Sequence, residues 1–334
     1  MFSFFLVVVL GLLGGLVRVP YVALGPGPTF DTLGDFRGSP VINVDGAQTH
    51  RTTGQLRMTT VSLTDDVTLF GALGLWISGR YALDAREQYF KPGETEEEVE
   101  KENVKQFRDS QSQAETAALR QLGKPIKVLA KEIVANSPAD HKLAPGDELL
   151  KVHGKDITTQ EDVTEALKGT RPGQTISVTF QHRGQQRTVP LKLAKRPPDL
   201  RGDFGFIGLE PAERADVPFH ISIKLEDVGG PSAGLMFALA IVDRLTEQNL
   251  AAGKHIAGTG EIDDRGDVGE IGGITFKLVA AREAGANTFL VPEGNCAEAR
   301  DNAPDGLRLI RVGTLKEAMN ALSALRAGRP TPSC

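Results

Sequence analysis

The chain has 334 residues, 40% of them hydrophobic and 24% charged, which is typical of a globular protein with about two domains and a sizeable core. A formal net charge of −5, with acidic and basic residues interspersed, argues against nucleic acid as the main partner. Only two cysteines occur, and their positions match no metal-ligand spacing. We therefore expect Cys296 to be an unpaired small residue, Cys334 to be mobile at the last position, and the chain to use neither a metal nor a cofactor.

The first predicted element is an apolar segment at the start of the chain. Residues 2–17 carry no charge and contain only apolar side chains and glycine apart from Ser3, and continuing to Leu24 reaches the roughly 20 residues that span a bilayer. No basic segment precedes it and no small-residue cleavage site follows, so a permanent anchor is favoured over a cleaved signal peptide, which stays the alternative. We predict a transmembrane anchor over residues 1–24, in a single-pass protein of the cell membrane whose other domains are extracytoplasmic.

The segment that follows the predicted anchor is rich in proline and glycine. Residues 20–34 therefore indicate an extended, turn-rich link. Further along, residues 54–61 alternate like a strand, and residues 110–119 have the composition of a helix. The acidic run at residues 94–100 fits the solvated start of a helix, where carboxylates interact favourably with the helix dipole.

Residues 124–198 form a region of their own. Strand-like segments at residues 126–130, 176–180 and 187–191 accompany a helical segment at residues 161–167. The motifs Ser-Pro-Ala, Gly-Asp-Glu-Leu and a following glycine resemble bacterial PDZ domains, which bind an extended peptide at an exposed sheet edge. We expect a PDZ domain that binds peptides, and a structural β domain without a ligand stays the alternative.

A serine lies in a glycine-rich turn between a predicted strand and a predicted helix. Residues 219–225 alternate apolar and polar, whereas residues 235–245 are nearly all apolar and too long for an ordinary strand, which predicts a buried helix. Ser232 would lie at the N-terminus of this helix, where free backbone N–H groups and the positive dipole end can receive an oxyanion. A serine that only caps the helix is the alternative.

The Gly-x-Ser-x-Gly pattern around Ser232 also fits the nucleophile elbow of the α/β-hydrolases. That site needs an acid and then a histidine after the serine, in that order. Only His255 follows Ser232, and the acids between them are Asp243 and Glu247, on or just after the apolar helix. The order and spacing of these partners argue against the elbow.

A lysine is the other candidate base for the serine. Lys277 begins a short predicted helix that ends at Gly285, and residues 288–292 predict a strand after it. Its apolar neighbours Phe276 and Leu278 would desolvate an inward-facing ammonium and lower its pKa below the usual value of about 10.4. Such a lysine can accept the serine proton near neutral pH, whereas a solvated surface lysine is the alternative.

Three sequence blocks together resemble the proteolytic domain of the Lon family. They are Gly-Pro-Ser-Ala-Gly around Ser232, Thr-Gly-Glu-Ile-Asp-Asp-Arg-Gly at residues 259–266, and Ile-Gly-Gly-x-x-x-Lys-x-x-Ala-Ala around Lys277, in the family's order and spacing. The resemblance implies that Ser232 is the nucleophile and Lys277 the general base of a catalytic dyad. The chain departs from the family at Gly229, where ordinary Lon proteases carry an aspartate, and Asp227 is a weak substitute for that acid.

The N-terminal segment and its proline-rich continuation resemble the YlbL group, which are membrane-anchored Lon-like proteases with a PDZ domain and no ATPase module. In agreement, the chain contains no Gly-x-x-x-x-Gly-Lys-Ser/Thr motif. The resemblance implies an ATP-independent protease that forms a homo-oligomer, with a hexameric ring as the expected form.

We predict an α+β fold that consists of a Lon-type proteolytic domain with an inserted PDZ domain and an N-terminal transmembrane helix. The insertion is inferred because Lon protease domains begin with a strand and a serine-containing helix similar to those predicted before the PDZ region. The predicted parts are the anchor at residues 1–24, a linker and the N-terminal part of the protease domain at 25–123, the PDZ domain at 124–198, and the catalytic domain at 199–334.

The predicted function is that of a membrane-anchored serine endopeptidase that acts on protein or peptide substrates without ATP. Two alternatives belong to other classes. One is a membrane-tethered PDZ adaptor whose protease fold is inactive, and the other is a serine esterase that uses the elbow.

Overall fold

The computed structural model describes residues 2–91, 93–198, 200–226 and 228–334. The chain forms two compact units, and each is described by itself below. The first unit combines Met1–Gln121 with Phe219–Cys334, and the second consists of Leu122–Pro218. Both units combine helical and strand elements, so the fold is mixed α and β.

The described residues of the first segment of the first unit form three helices and six strands. The elements are α1 (Phe2–Leu16), β1 (Tyr21–Asp31), β2 (Asp35–Phe36), β3 (Ser39–Pro40), β4 (Ile42–Asp45), β5 (Gln55–Thr64), α2 (Leu69–Ile77), β6 (Ala82–Ala85), a 3₁₀ turn (Arg86–Gln88) and α3 (Glu96–Gln121).

The second unit is built on a single sheet with one helix. Its elements are β7 (Ile126–Ile133), β8 (Glu148–Val152), β9 (Lys155–Asp156), α4 (Gln160–Leu167), β10 (Thr175–His182), β11 (Gln185–Lys192) and β12 (Leu209–Ala215). The strand order is β11-β10-β8-β7-β12, with β9 paired to β8, and all of the pairs are antiparallel. The strands and helix predicted in this region are therefore confirmed, with ends that differ by a few residues.

The last segment returns to the first unit. Its elements are β13 (His220–Ile223), α5 (Gly234–Leu245), β14 (His255–Gly258), β15 (Glu261–Ile262), β16 (Val268–Gly269), α6 (Ile274–Glu283), β17 (Thr288–Pro292), a 3₁₀ turn (Glu293–Asn295), α7 (Cys296–Asp301), β18 (Arg308–Val312) and α8 (Leu315–Arg326).

A six-stranded sheet draws strands from both segments of the first unit. Its order is β18-β17-β14-β5-β1-β6. The pairs from β18 to β5 are parallel, whereas β5 with β1 and β1 with β6 are antiparallel. Helix α5 is the centre of the core, because every residue from Gly234 to Asp243 is buried, as its uninterrupted apolar sequence predicted.

The chain between the N-terminal helix and the sheet differs from the prediction. Helix α1 ends at Leu16, and Val22, Ala23 and Leu24, predicted to complete the transmembrane anchor, are buried in β1 instead. Residues 25–31, predicted to be linker, continue the same strand, and a bulge between Pro26 and Thr29 accommodates the prolines. Among the described residues, no helix combines the length and apolar character needed to cross a bilayer.

The two cysteines were also predicted wrongly. Cys296, at the start of α7, and Cys334 form a disulfide that closes a loop of 38 residues in sequence. The C-terminal tail that carries Cys334, which was predicted to be mobile, is also held at the sheet edge, because Arg311 N donates to Pro332 O at 3.2 Å. Sequence separation gave no indication that the tail returns to α7, so the pairing depends on the tertiary fold.

We predict that removal of this disulfide destabilises the first unit. A closed loop of this length restricts the unfolded chain, so Cys334→Ser should lower the free energy of unfolding by about 2–4 kcal/mol. Chemical denaturation of the oxidised wild type and the variant measures the difference, and hydrogen exchange at the Arg311 amide reports release of the tail. Equal stability and equal exchange would contradict the prediction.

Candidate active site

The turn before α5 presents Ser232 at the N-terminal end of a buried helix. Gly230 has a φ of 82°, a backbone conformation that side chains disfavour, and this lets the chain reverse immediately before the serine. Helix α3 holds the same turn, since Gly230 N donates to Asn103 O at 3.0 Å and Ser110 Oγ donates to Pro231 O at 3.0 Å. The serine is thus fixed by elements from both segments of the first unit.

Helix α6 brings Lys277 to the serine. The helix begins at Ile274, three residues earlier than predicted, after Gly273, whose φ of 67° redirects the chain. Lys277 is only 3% exposed, and its Nζ lies 2.9 Å from Ser232 Oγ. The two candidate residues, 45 positions apart in sequence, are therefore within hydrogen-bond distance.

Burial changes the pKa of Lys277 and that of the nearby Glu261. Desolvation lowers the pKa of Lys277 to about 8, and the negative charge of Glu261 opposes part of that shift. Burial also raises the pKa of Glu261, against the effect of the Lys277 charge. A lysine with a pKa near 8 is partly neutral at physiological pH, so its nitrogen can accept the proton of a hydroxyl group.

Thr259 is a third site residue, to which sequence reasoning assigned no role. Lys277 Nζ donates to Thr259 Oγ1 at 3.1 Å, and Thr259 Oγ1 donates to the backbone oxygen of Ser232 at 3.0 Å. Gly260 N donates to the same oxygen at 2.9 Å. These bonds fix the lysine and the serine turn to the end of β14. The Thr-Gly-Glu block contained the signal, but only the fold shows which of its side chains faces inward.

The N-terminus of α5 offers donors for a negatively charged oxygen. Among the described residues, the backbone N–H groups of Ser232 and Ala233 have no hydrogen-bond acceptor, and both residues line the pocket at the serine. They also lie at the positive end of the helix dipole. This arrangement can stabilise the oxyanion of a tetrahedral intermediate.

The Ser232 hydroxyl opens into a cavity of about 360 Å³. Its walls come from the serine turn, from Lys277 and from strand β5, which contributes Thr60, Val61 and Ser62. Strand β5 pairs with β14 only as far as Met58. Beyond Met58, the edge of β5 on the β14 side faces the cavity and has no strand partner among the described residues. An extended polypeptide segment can add to such an edge.

Steric contact accounts for glycine at position 229. A Cβ atom there would lie 2.9 Å from Asn103 Cβ on α3, so an aspartate would require a shift of the helix. Asp227, the predicted weak substitute for that acid, lies outside the described residues. Among the residues described, no group of three or more His, Cys, Asp or Glu side chains could hold a metal ion.

The histidine required by a hydrolase elbow is in a different position. His255 is the first residue of β14, whereas Thr259, which contacts the dyad, follows the last residue of that strand. The four-residue step from His255 to Thr259 along extended chain covers about 13 Å, which separates His255 from the contact between Thr259 and Lys277. The side chain in contact with Ser232 Oγ is therefore that of Lys277 and not that of His255.

Two regions of the chain match known families. Residues 207–325, which contain Ser232, Thr259 and Lys277, match the family described as the Lon protease (S16) C-terminal proteolytic domain. Residues 101–193 match the PDZ domain family. The predicted combination of a Lon-type proteolytic domain with a PDZ domain is confirmed by these matches. Part of the PDZ match, residues 101–121, lies in α3 of the first unit.

The curated relatives that the chain resembles are Lon proteases. It is 40% identical to that of Roseiflexus castenholzii over 27% of this chain and 11% of the relative, and 38% identical to that of Azospirillum brasilense over 34% and 14%. It is 37% identical to the Lon protease of Rhizobium meliloti over 37% of this chain and 16% of the relative. The chain thus spans between 11% and 16% of the length of these relatives.

Solved structures similar to the chain include the PDZ domain of an SdrC-like protein from Listeria monocytogenes, with 17% identity, a TM-score of 0.23, and coverage of 25% of this chain and 84% of that one. A second is the solution structure of GtR34C from Geobacillus thermodenitrificans, with 27% identity and a TM-score of 0.20. It covers 21% of this chain and 82% of that one.

We predict that the buried lysine costs stability. Its folded pKa of about 8 is below the unfolded value of 10.5, so between these values the unfolded state binds more protons and stability should rise with pH. At pH 7 the lowered pKa means that the buried charge destabilises the folded state by on the order of 3 kcal/mol. A variant without the lysine avoids this cost but loses the hydrogen bonds of its Nζ, so its net gain in stability is smaller. Lys277→Met should therefore unfold at a higher temperature than wild type at pH 7.

Thermal unfolding between pH 6 and 10 tests this prediction. The difference between Lys277→Met and wild type should shrink as the pH approaches 10, because the folded wild-type lysine is then neutral and its burial no longer desolvates a charge. Lys316→Met, which changes an exposed lysine of α8, is the matched control. A variant at position 277 that is less stable than wild type at pH 7 would show that the hydrogen bonds outweigh desolvation.

Proposed function

We propose that this protein is a serine endopeptidase that cleaves protein or peptide substrates with a Ser232-Lys277 dyad. The observation that carries the proposal is the 2.9 Å contact between Lys277 Nζ and Ser232 Oγ at a lysine that is almost completely buried. The match of residues 207–325 to the Lon proteolytic domain supports peptide bonds as the target. Without this lysine, the serine hydroxyl would be a poor nucleophile.

The proposed reaction has two halves. Neutral Lys277 takes the hydroxyl proton while Ser232 Oγ attacks the peptide carbonyl, and the N–H groups of Ser232 and Ala233 hold the resulting oxyanion. The lysine ammonium then donates its proton to the departing amine, the C–N bond breaks, and an acyl-enzyme remains. In the second half, Lys277 takes a proton from a water molecule whose oxygen attacks the ester carbonyl. The bond from the acyl carbon to Ser232 Oγ then breaks, the lysine ammonium returns its proton to Oγ, and the carboxylic acid product leaves.

Thr259 would orient the base during both halves. A neutral lysine has one lone pair and two N–H bonds. Donation of one N–H to Thr259 Oγ1 leaves the lone pair available to the serine proton. The free edge of β5 at Thr60–Ser62 would hold the substrate backbone in an extended conformation beside Ser232.

The proposed enzyme works without ATP, because the sequence contains no phosphate-binding loop motif of the Walker type. Two other functions compete with it. An inactive PDZ adaptor would keep the fold without turnover, and an esterase that uses the elbow would not depend on Lys277.

We predict that the full chain, purified in mild detergent, cleaves unfolded β-casein. Ser232→Ala, Lys277→Ala and Lys277→Arg should each reduce kcat/KM by about 1,000-fold or more, because each removes the nucleophile or the base. In wild type, kcat/KM should rise about tenfold per pH unit below pH 8 and level off above it, as Lys277 loses its proton. Lys316→Ala should leave both the rate and the pH profile unchanged.

The competing functions give different results in the same assay. Folded wild type that cleaves no protein or peptide at any pH would favour the adaptor. Ester hydrolysis that persists in Lys277→Ala would favour the esterase. Sedimentation velocity on the same preparation tests a further part of the proposal, that the chain forms a homo-oligomer such as a hexameric ring.

We propose that the second unit is the peptide-binding PDZ domain and that it is inserted in the protease fold. Its sheet ends at β12, which pairs with β7 on one side only within the described residues. Helix α4 is tied to this edge strand because Gln160 N donates to Glu213 Oε1 at 3.0 Å. The edge of β12 beside α4 is therefore suited to add an extended peptide strand.

We predict that an unstructured casein peptide added to Ser232→Ala protein shifts the NMR amide signals of β12 more than those of β11. Strand β11 is the opposite edge of the same sheet and serves as the internal control. The inactive background prevents cleavage of the peptide. Shifts confined to β11, or none in the second unit, would argue for a structural role.

We further propose that α1 attaches the protein to the cell membrane, with both units on the extracytoplasmic side. Helix α1 contains no charged residue, and Phe4, Phe5 and Leu16 are exposed. The Cys296–Cys334 disulfide supports an oxidising compartment. Labelling of the units by a membrane-impermeant reagent on intact cells would test their side, and a lack of labelling before lysis would contradict it.

A further inference from the structure

Helix α2 has an apolar surface that the rest of the described chain leaves uncovered. Its nine residues, Leu-Phe-Gly-Ala-Leu-Gly-Leu-Trp-Ile, include no charged side chain, and only Ala72 is buried. Trp76 is 61% exposed and Ile77 is 69% exposed. Leu69, Leu73 and Trp76 recur at helical spacing, so they form an apolar stripe on the outer side of the helix.

The inner side of α2 holds the helix flat on its unit. Ala72 packs in a cluster with Ala23 of β1 and Val67, and Leu75 lies against the same cluster. This small core fixes which side of α2 faces outward. The outer stripe is therefore a stable feature of the fold and not a consequence of a loosely attached helix.

Helix α1 continues the uncovered surface. Its C-terminal end is joined to the start of α2 by Leu69 N donating to Val17 O at 3.1 Å, and Gly14 provides the space that the ring of Phe70 occupies. Fifteen large hydrophobic residues are strongly exposed in the described chain, and most of them lie in or next to these two helices. Eleven of the fifteen lie there, among them Phe4, Leu13, Leu69, Phe70, Trp76 and Ile77.

The chemistry around α2 selects the occupant of this surface. A contiguous apolar area of this kind marks a site of protein or membrane interaction. Protein interfaces carry several hydrogen bonds within the contact area, whereas the outer stripe of α2 offers one donor, the indole N–H of Trp76. Ion pairs stand instead at the two ends of the helix, Arg18 with Asp66 and Arg80 with Glu283. Apolar residues with tryptophan, bordered by charges, fit the boundary between lipid chains and headgroups.

We propose that the outer stripe of α2 lies in the headgroup boundary of a lipid bilayer, as a second membrane contact beside α1. The catalytic unit is then held flat against the membrane. Helix α6 carries both Lys277 and Glu283, the partner of Arg80 at the end of α2. Six residues of helix span about 9 Å, so the dyad lies close to the lipid surface.

Trp76 gives a direct test, because it is the only tryptophan of the chain. The full chain is reconstituted in vesicles of phosphatidylcholine with a minor fraction of phosphatidylglycerol, and its emission is measured with iodide in the water or with brominated lipid chains. We expect emission at short wavelength, strong quenching by shallow bromines and little quenching by iodide. Leu73→Ser/Ile77→Ser should shift emission to longer wavelength and reverse the order of the two quenchers.

Val134→Ser, at a 49% exposed apolar residue of the second unit, is the matched control and should behave as wild type. Circular dichroism verifies that each variant is folded.

Iodide quenching of wild-type Trp76 on vesicle-bound protein would overturn the proposal and leave α1 as the only contact. Protection of Trp76 that grows with protein concentration and does not need lipid, together with a sedimenting dimer, would show that a second copy covers α2. Failure to bind the vesicles would also overturn it. None of these readouts depends on protease activity.

Discussion

The main constraint that the first unit has to meet is a lysine nitrogen held out of water and beside a serine hydroxyl. Lys277 reaches Ser232 only because α5 and α6 both start at glycine-directed turns and both pack on the central sheet. Burial lowers the pKa of the lysine, and the acceptor Thr259 Oγ1 gives its N–H a partner. A charged nitrogen without such an acceptor would be far more costly at this depth.

Much of this site could be predicted from the sequence because its elements have local signals. The long apolar run of α5 predicted a buried helix after Ser232, the apolar neighbours of Lys277 predicted its burial, and strand β17 was placed at its observed residues, whereas the pairing of Ser232 with Lys277 came from the resemblance to the Lon family. These features depend on hydrophobic periodicity and turn chemistry, which act over a few residues. The side-chain orientation of Thr259 depends on how β14 meets the serine turn, and no local pattern contains that information.

Long-range pairing explains the errors. Strand β1 has the prolines and glycines of a linker, yet Val22 and Ala23 are completely buried between β5 and β6. Tertiary contacts outweigh intrinsic preference in such a strand, and its bulge accommodates the irregular part. In the same way, the Cys296–Cys334 bond joins residues that only the folded chain brings together. Strand β5 was predicted from its alternation of apolar and polar residues, and it lies in the middle of the sheet.

The turn at Ser232 has a consequence for control of the site. Its carbonyl oxygen is held by Thr259 and Gly260, and its preceding residues are held by α3, all within a single chain. Association with other copies is therefore not needed to bring Ser232 Oγ and Lys277 Nζ into contact. Regulation of the proposed protease would act on access to the cavity, by admitting or excluding polypeptide, and not by separating these two groups.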